Sequence, residues 1–88
     1  MPPVSPNVRV KVLFFGLVRE LTGIAEDIVD IPAGATLADV FDRYAARFPK
    51  LEAFRPSLVA SRNQEFAPWD THLADADEIT FLPPVSGG

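Results

Sequence analysis

The feature that most constrains the fold of this chain is a single amphipathic helix, predicted from Thr36 to Phe48. Its apolar residues recur at steps of three and four along one face: Leu37, Val40, Phe41, Tyr44 and Phe48. Thr36 and Asp39 have the spacing of a capping box, and Pro49 ends the helix. Because one helix covers only one face of a sheet, a sheet built around it keeps a second face without a helix.

Alternating apolar and polar residues predict strands on both sides of this helix. The predicted strands lie at residues 8–15, 25–31, 57–66 and 78–82. The third includes a turn near Asn63 and Gln64, and Trp69 is expected to anchor the loop that follows. Residues 16–23 are expected to be a loop or a short helical turn, so that the first two strands join like a hairpin. The order strand, strand, helix, strand, strand predicts an α+β domain.

The two faces of the first strand differ, and the difference predicts a docking surface. One face carries Val8, Val10, Val12 and Phe14, and the other carries Arg9, Lys11, Leu13 and Phe15. If the first and last strands are neighbours, Leu82 lies beside Phe15 on the face that the helix leaves uncovered, as an apolar patch. The alternative is that Phe15 or Leu82 tucks under the 16–23 segment. In the second strand, Val29 and Ile31 are expected to face inward and Asp27 outward.

Composition excludes several classes of function. The chain has 88 residues, which predicts one domain, and a net charge of −4, which argues against nucleic acid as a partner. It contains no cysteine, so disulfides and thiolate chemistry are excluded, and one histidine, His72, is too few for a metal site. No stretch is long and apolar enough for a membrane helix. Residues 1–7 form a Pro-rich leader unlike a signal peptide, so a cytoplasmic location is expected.

No set of residues with the spacing of a catalytic site is found in the chain. Ser57, Ser61 and Ser86 have no evident general base, and the acidic run from Asp75 to Glu78 is typical of a turn before a strand. The glycines are too scattered for a phosphate-binding loop. The chain is therefore not expected to be an enzyme by itself.

The C-terminal sequence FLPPVSGG indicates a different kind of chemistry. Pro83 and Pro84 end the last strand and direct the chain away from the sheet. Gly87 and Gly88 have no side chain, so such an end fits a channel too narrow for other residues. Its reactive group is the terminal carboxylate, which ATP can activate as an acyl-adenylate. The alternative is a tail with no function.

Together, VKVLFFGLVRELTG at residues 10–23, the helix at 36–48 and the ending LADADEITFLPPVSGG resemble the small subunit of molybdopterin synthase, the MoaD family. The resemblance runs from about Val8 to Gly88. It implies a ubiquitin-like β-grasp fold, a mixed sheet with one main helix packed on one face. The domain would then span residues 8–82, followed by an extended tail at 83–88.

The resemblance also implies the chemistry and the partners. An adenylating enzyme of the ubiquitin-activating type (MoeB-like) would use ATP to adenylate Gly88, and sulfur transfer would give a thiocarboxylate. The tail would then enter the large subunit (MoaE-like) and give sulfur to the pyranopterin precursor of the molybdenum cofactor. Two small and two large subunits would form a heterotetramer. The carrier itself would bind no cofactor and no metal.

Residue roles follow from the same resemblance. Gly88 matches the position that carries sulfur, and Gly87 matches a position where a side chain would not fit the partner's channel. The matching partner contacts are Phe15, Arg19, Phe66, Leu82, Pro83, Pro84, Val85 and Ser86. Arg19 is the expected ion-pair donor to the activating enzyme, unless it pairs with Glu20 or Asp27. Ala76 stands where relatives commonly have glycine, and a positive φ there costs an alanine on the order of 1 kcal/mol.

Three other functions remain open from the sequence. The first is a sulfur carrier of another pathway, such as thiamine synthesis. The second is a ubiquitin-like modifier that is attached to lysines. The third is an interaction module whose tail has no task.

Overall fold

The computed structural model describes residues 7–83, and within them the chain forms five strands and three α-helices. In chain order these are β1 (Asn7–Phe14), α1 (Gly16–Thr22), β2 (Glu26–Pro32), α2 (Leu37–Arg47), α3 (Lys50–Phe54), β3 (Val59–Arg62), β4 (Glu65–Ala67) and β5 (Glu78–Leu82). A single 3-10 turn, Arg55–Ser57, follows α3. No helix within these residues is long and apolar enough to cross a membrane.

The strands form one mixed sheet in the order β2-β1-β5-β3-β4. The central pair, β1 and β5, is parallel, and the other neighbours are antiparallel. The condition on which the apolar patch depended, that the first and last strands are neighbours, is therefore met. The register pairs Phe14 with Phe81, so these two side chains lie on the same face of the sheet.

Helix α2 covers that face and closes the core. Its capping box is present as predicted, since the Thr36 side chain accepts from the Asp39 amide and the Asp39 side chain accepts from the Thr36 amide. Its apolar stripe meets the sheet through aromatic contacts. Tyr44 packs edge to face on Phe14 with ring centroids 4.9 Å apart, and Phe41 does the same with Phe81 at 5.2 Å.

Trp69 anchors the loop before β5, as predicted. Its ring stacks on Phe81 with a centroid separation of 5.5 Å and meets Phe41 edge to face at 5.3 Å. The Arg55 guanidinium lies over both Phe41 and Trp69, at 5.1 and 5.5 Å from the ring centroids. The long loop is thus held to the core by aromatic packing.

The structure also corrects several expectations. Residues 16–22 form a seven-residue helix, which agrees with the short helical turn expected there, and β1 and β2 are antiparallel neighbours on either side of it. The chain continues after Pro49 as a second helix, α3, which the periodicity did not predict. The predicted strand at 57–66 is a hairpin of β3 and β4 around Asn63 and Gln64, both with positive φ, of 52° and 71°.

The orientation expected for Asp27 was wrong. Alternate residues of a strand share a face, so Asp27 lies on the covered face with Val29 and Ile31. Its carboxylate sits at the margin of the core, where Oδ2 accepts a hydrogen bond from the Tyr44 hydroxyl at 2.8 Å. Apart from these differences, one main helix packed on one face of a mixed sheet is the β-grasp arrangement that was predicted.

Candidate functional site

The face of the sheet opposite α2 carries an apolar patch, which we call the open-face patch and define as Leu13, Phe15, Val59, Phe66 and Leu82. The side chains of Phe15 and Phe66 are exposed, at 49% and 72%, and Leu13, Val59 and Leu82 are half-buried. Few aromatic side chains of a small domain are left this accessible without a contact to make.

The strand register brings these residues together. Val59 is paired with Leu82, and Ser61 is paired with both Thr80 and Phe66. Leu13 is paired with Thr80, and the same register continued by one residue sets Phe15 beside Leu82. Since paired residues point to the same face, the patch extends over β1, β5, β3 and β4, with Thr80 and Ser61 between Leu13 and Phe66.

The backbone between β1 and α1 turns Phe15 outward. Phe15 is extended, with φ −130° and ψ 159°, and Gly16 follows it with a positive φ of 52°. A left-handed conformation favours glycine at this point. Helix α1 then buries Val18 rather than Phe15. The alternative in which Phe15 tucks under the 16–23 segment is therefore wrong.

Arg19 lies one helical turn beyond Phe15, and its main-chain amide donates to the Phe15 carbonyl at 3.3 Å. Its side chain is exposed and forms no ion pair with any residue between 7 and 83. The alternative pairing with Glu20 or Asp27 is thus not observed. The carboxylate of Asp27 instead serves the Ile28 amide, at 2.9 Å, and the Tyr44 hydroxyl.

The contact with Asp27 affects the acidity of Tyr44. Burial raises the pKa of the Tyr44 hydroxyl, and the hydrogen bond to the Asp27 carboxylate raises it further. Tyr44 therefore stays protonated and acts as a structural link between α2 and β2. It has no role in acid–base chemistry at neutral pH.

The acidic turn before β5 is also structural. Asp77 Oδ2 accepts from the Ala74 amide at 2.8 Å and from Arg62 Nε at 2.9 Å, and Oδ1 accepts from Asn63 Nδ2 at 2.9 Å. Burial acts to raise the pKa of this carboxyl, but the three hydrogen bonds and the Arg62 charge outweigh burial and hold the pKa below its usual range. Asp77 thus ties the turn to the β3–β4 hairpin.

The remaining chemical candidates have no catalytic arrangement around them. The His72 ring is exposed, and its Nδ1 lies 2.7 Å from the Gly34 carbonyl, to which it donates. Between residues 7 and 83 no three His, Asp or Glu side chains are grouped as metal ligands would be.

The open-face patch lies where the chain leaves the domain. Leu82 is the last residue of β5, and the exposed Pro83 follows it as the last residue that the structure describes. The other predicted tail residues, Pro84, Val85, Ser86, Gly87 and Gly88, lie outside the described residues. Val59 completes the patch and was missed by sequence reasoning, because only the β3–β5 register reveals that it shares a face with Leu82.

Comparison with known proteins gives a consistent picture. The model of the ThiS family matches residues 12–88 of the chain. A protein of Arabidopsis thaliana named molybdopterin synthase sulfur carrier subunit is 35% identical over 84 residues, covering 96% of this chain and 88% of that protein.

Two solved structures are similar over nearly the whole chain. The small archaeal modifier protein 1 from Methanosarcina acetivorans has a TM-score of 0.75 and 27% identity, covering 93% of this chain and 98% of that one. A complex of subunits 1 and 2 of molybdopterin-converting factor from Helicobacter pylori contains a chain with a TM-score of 0.59 and 27% identity, covering 92% and 100%.

Proposed function

The chain belongs to the ThiS family, and on that premise we propose that it carries sulfur as a thiocarboxylate on the terminal carboxyl group of Gly88. Its function is that of the sulfur carrier subunit of molybdopterin synthase, as in the relatives that bear this name. The sulfur passes from the tail to the pyranopterin precursor of the molybdenum cofactor.

The tail needs activation before it can accept sulfur. A carboxylate resists nucleophiles, so the Gly88 oxygen first attacks the α-phosphate of ATP on a MoeB-like activating enzyme and pyrophosphate leaves. A sulfur nucleophile then displaces AMP from the acyl-adenylate, and one carboxyl oxygen departs with the AMP. The thiocarboxylate ionises readily and is a good nucleophile at neutral pH. Its sulfur attacks a carbon of the precursor and displaces an oxygen leaving group from that carbon. Water then cleaves the acyl–sulfur bond, so the sulfur stays on the product and the Gly88 carboxylate is restored.

The observation that carries this proposal is the position of the open-face patch at the exit of β5. A partner that binds Phe15 and Leu82 holds the chain at the point from which the tail extends. Residues 83–88 span on the order of 20 Å when extended, at about 3.3 Å each, which is enough to reach an active site inside that partner. The Helicobacter pylori complex of two subunits supports a partner subunit. We propose that this partner is a MoaE-like large subunit and that two carriers and two large subunits form a heterotetramer.

Arg19 has a separate role in this proposal. Its free guanidinium, one turn from Phe15, is an ion-pair donor for an acidic group of the activating enzyme. Because the activating enzyme and the large subunit both need the tail, each binds the open-face patch in turn. Arg19 then distinguishes the two complexes.

The test is the intact mass of the chain after incubation with a sulfur-carrier adenylating enzyme, ATP and a sulfide source. We expect a gain equal to sulfur minus oxygen, and no gain when Gly88 is deleted or when one residue is added after it. Equal thermal melting of the variants is the control for folding. If the chain gains no mass while a known carrier is loaded in the same tube, the proposal is wrong.

A second candidate function is that of a protein modifier, which the similarity to a small archaeal modifier protein favours. An adenylated Gly88 attacked by a lysine amine gives an isopeptide bond and no sulfur product. Tagged chain expressed in cells would then run as higher-mass conjugates that need Gly88. If the chain is loaded with sulfur and forms no conjugates, the modifier function is excluded and the carrier function stands.

A growth test separates molybdopterin synthesis from thiamine synthesis. The chain is expressed in a strain that lacks its own carrier, and rescue is scored by growth on nitrate or by growth without thiamine.

A further inference from the structure

Among residues 7–83, β2 and β4 are the two edge strands of the sheet, and the hydrogen bonds of their edge-facing main-chain groups differ. At the β2 side, the Phe14 amide donates to the Ala25 carbonyl at 3.0 Å, whereas the Lys11 amide donates to Asp77 on the opposite side at 2.9 Å. Main-chain groups alternate in direction along a strand. The even-numbered residues of β1 therefore face β2, and Ile28 and Asp30 of β2 direct their amide and carbonyl groups to the free edge.

Several main-chain groups at the β2 edge are bonded locally, whereas the Ile28 carbonyl and the Asp30 amide have no hydrogen bond to another residue between 7 and 83. The Ile28 amide donates to Asp27 Oδ1 at 2.9 Å, and the Asp30 carbonyl accepts from Arg43 Nη1 at 3.0 Å. Pro32 has no amide hydrogen, and its carbonyl accepts from Ala35 at 3.0 Å. Groups that are already bonded do not recruit another strand, which is how proteins protect an edge.

The β4 edge is open at one residue. The Asn63 amide donates to the Glu78 carbonyl of β5 at 2.7 Å, so by alternation Arg62 faces β4 and is the hydrogen-bonded partner of Glu65. The next residue, Phe66, then directs its amide and carbonyl away from β3. Neither group has a hydrogen bond to another residue between 7 and 83.

The residues around Phe66 limit how long this open edge is. Two positions further on, Pro68 has no amide hydrogen and its carbonyl accepts from the Thr71 amide at 3.0 Å. Beside the edge is an apolar hollow, lined by Val59, Ala60, Phe66, Ala67, Pro68 and Trp69. Two of these residues, Val59 and Phe66, belong to the open-face patch, so the hollow continues the patch around the edge of the sheet.

We propose that an extended segment of the large subunit adds to the β4 edge. It exchanges two main-chain hydrogen bonds with Phe66 and places an apolar side chain in the hollow beside Pro68 and Trp69. Strand addition of this kind takes affinity from the main chain and specificity from a side-chain pocket. The inference rests on the proposed function, because it assigns the occupant to the partner that receives the tail.

The direct test is amide hydrogen exchange, measured by NMR on the full chain alone and in complex with the purified large subunit. We expect the Phe66 amide to exchange rapidly in the free chain and at least tenfold more slowly in the complex. The Ile28 amide at the β2 edge, which already donates to Asp27, should not change. A complex in which the Phe66 amide still exchanges rapidly would overturn the inference. If the Phe66 amide exchanges slowly in the free chain, and more slowly as the chain concentration rises, the edge pairs two copies of the chain and the inference is wrong.

Two substitutions separate the main chain of Phe66 from its side chain. Phe66→Ala removes the ring and keeps the amide, and Phe66→Pro removes both. Proline is tolerated at an edge position whose amide faces solvent. If the amide binds the partner, Phe66→Pro should bind about tenfold more weakly than Phe66→Ala, as expected for the loss of one hydrogen bond in an interface. Equal affinities of the two variants would show that only the ring is used.

The controls distinguish this inference from the proposed function. Ile28→Ala, which changes an exposed apolar residue at the opposite edge of the sheet, should bind like the unmodified chain. Melting curves check that both Phe66 variants are folded. If no variant and no unmodified chain binds the large subunit, the proposed function fails; binding without a difference between Ala and Pro at position 66 refutes strand addition alone.

Discussion

Ala76 adopts a backbone conformation that is costly for any residue with a Cβ atom. Its φ is 70°, in the turn whose main chain bonds β1, where the Ala76 amide donates to the Arg9 carbonyl at 2.8 Å. The left-handed conformation costs an alanine on the order of 1 kcal/mol relative to glycine. The positive φ on which the expected cost at Ala76 depended is thus observed. Ala76 therefore destabilises the fold relative to glycine at the same position.

Ala76→Gly should therefore stabilise the protein. We expect a gain of roughly 0.5–1 kcal/mol in the free energy of unfolding, since the relief of strain is partly offset by the greater freedom of glycine in the unfolded chain. For a domain of this size that corresponds to a rise of a few degrees in Tm. Calorimetry of both proteins measures it. Ala74→Gly in the same loop is the control and should not stabilise, and an unchanged or lower Tm for Ala76→Gly would contradict the strain argument.

The Asp77 carboxylate joins the turn from Ala74 to Asp77 to the β3–β4 hairpin. The pKa of Asp77 is lowered in the folded state, so the unfolded state binds more protons in acid. The stabilisation is therefore complete above about pH 4, the unfolded value, and is lost as the pH falls through the folded value. Asp77→Asn should reduce the free energy of unfolding at pH 7 by about 1–3 kcal/mol, and by less at pH 3.

Urea unfolding at the two pH values tests this prediction. Asp75→Asn is the matched control, because Asp75 is exposed and its carboxylate accepts one hydrogen bond, from the Arg9 amide at 2.8 Å. Asp75→Asn should lower the free energy of unfolding at pH 7 by less than Asp77→Asn does. A loss for Asp77→Asn that is the same at pH 3 and pH 7 would mean that ionisation of Asp77 does not stabilise the fold.

An element whose signals are local in sequence is predicted well. Helix α2 was predicted with its cap because the signals are local: Thr36 and Asp39 are three residues apart, and the stripe has helical period. Helix α3 was missed because Pro49 was taken as a stop, whereas proline is also favourable at a helix start. Asp27 was placed on the wrong face because the alternation along its strand was applied wrongly. Its hydrogen bond with Tyr44 of α2 shows that it lies on the covered face.

The candidate site was predictable where it depends on one strand and not where it depends on several. Alternation separated Phe15 from the covered face of the first strand, and it placed Leu82 beside Phe15 only on the condition that the first and last strands are neighbours. The contribution of Val59 and the free amide of Phe66 depend on which strands are neighbours and in what register. Such pairings join residues that are distant in sequence, so no local pattern encodes them.

The two faces of the sheet have different roles: the face covered by α2 forms the core, and the opposite face carries the open-face patch. Phe14 and Phe15 are consecutive in sequence and point to opposite faces, with exposures of 1% and 49%. Phe14 packs on Tyr44 of α2, whereas Phe15 belongs to the open-face patch beside the exit of the tail. The pair therefore gives a matched comparison in which the same side chain is removed from each face.

Phe15→Ala should lower the free energy of unfolding by about 1 kcal/mol or less, because half of the ring is already in water. It should weaken binding to the large subunit at least tenfold, about 1.4 kcal/mol. Phe14→Ala should cost about 3–5 kcal/mol of stability, and the milder Phe14→Leu keeps the chain folded for titration with unchanged affinity. Urea unfolding and calorimetric titration give both quantities for each variant. If Phe15→Ala loses stability but not affinity, Phe15 is part of the core and the partner binds the carrier elsewhere.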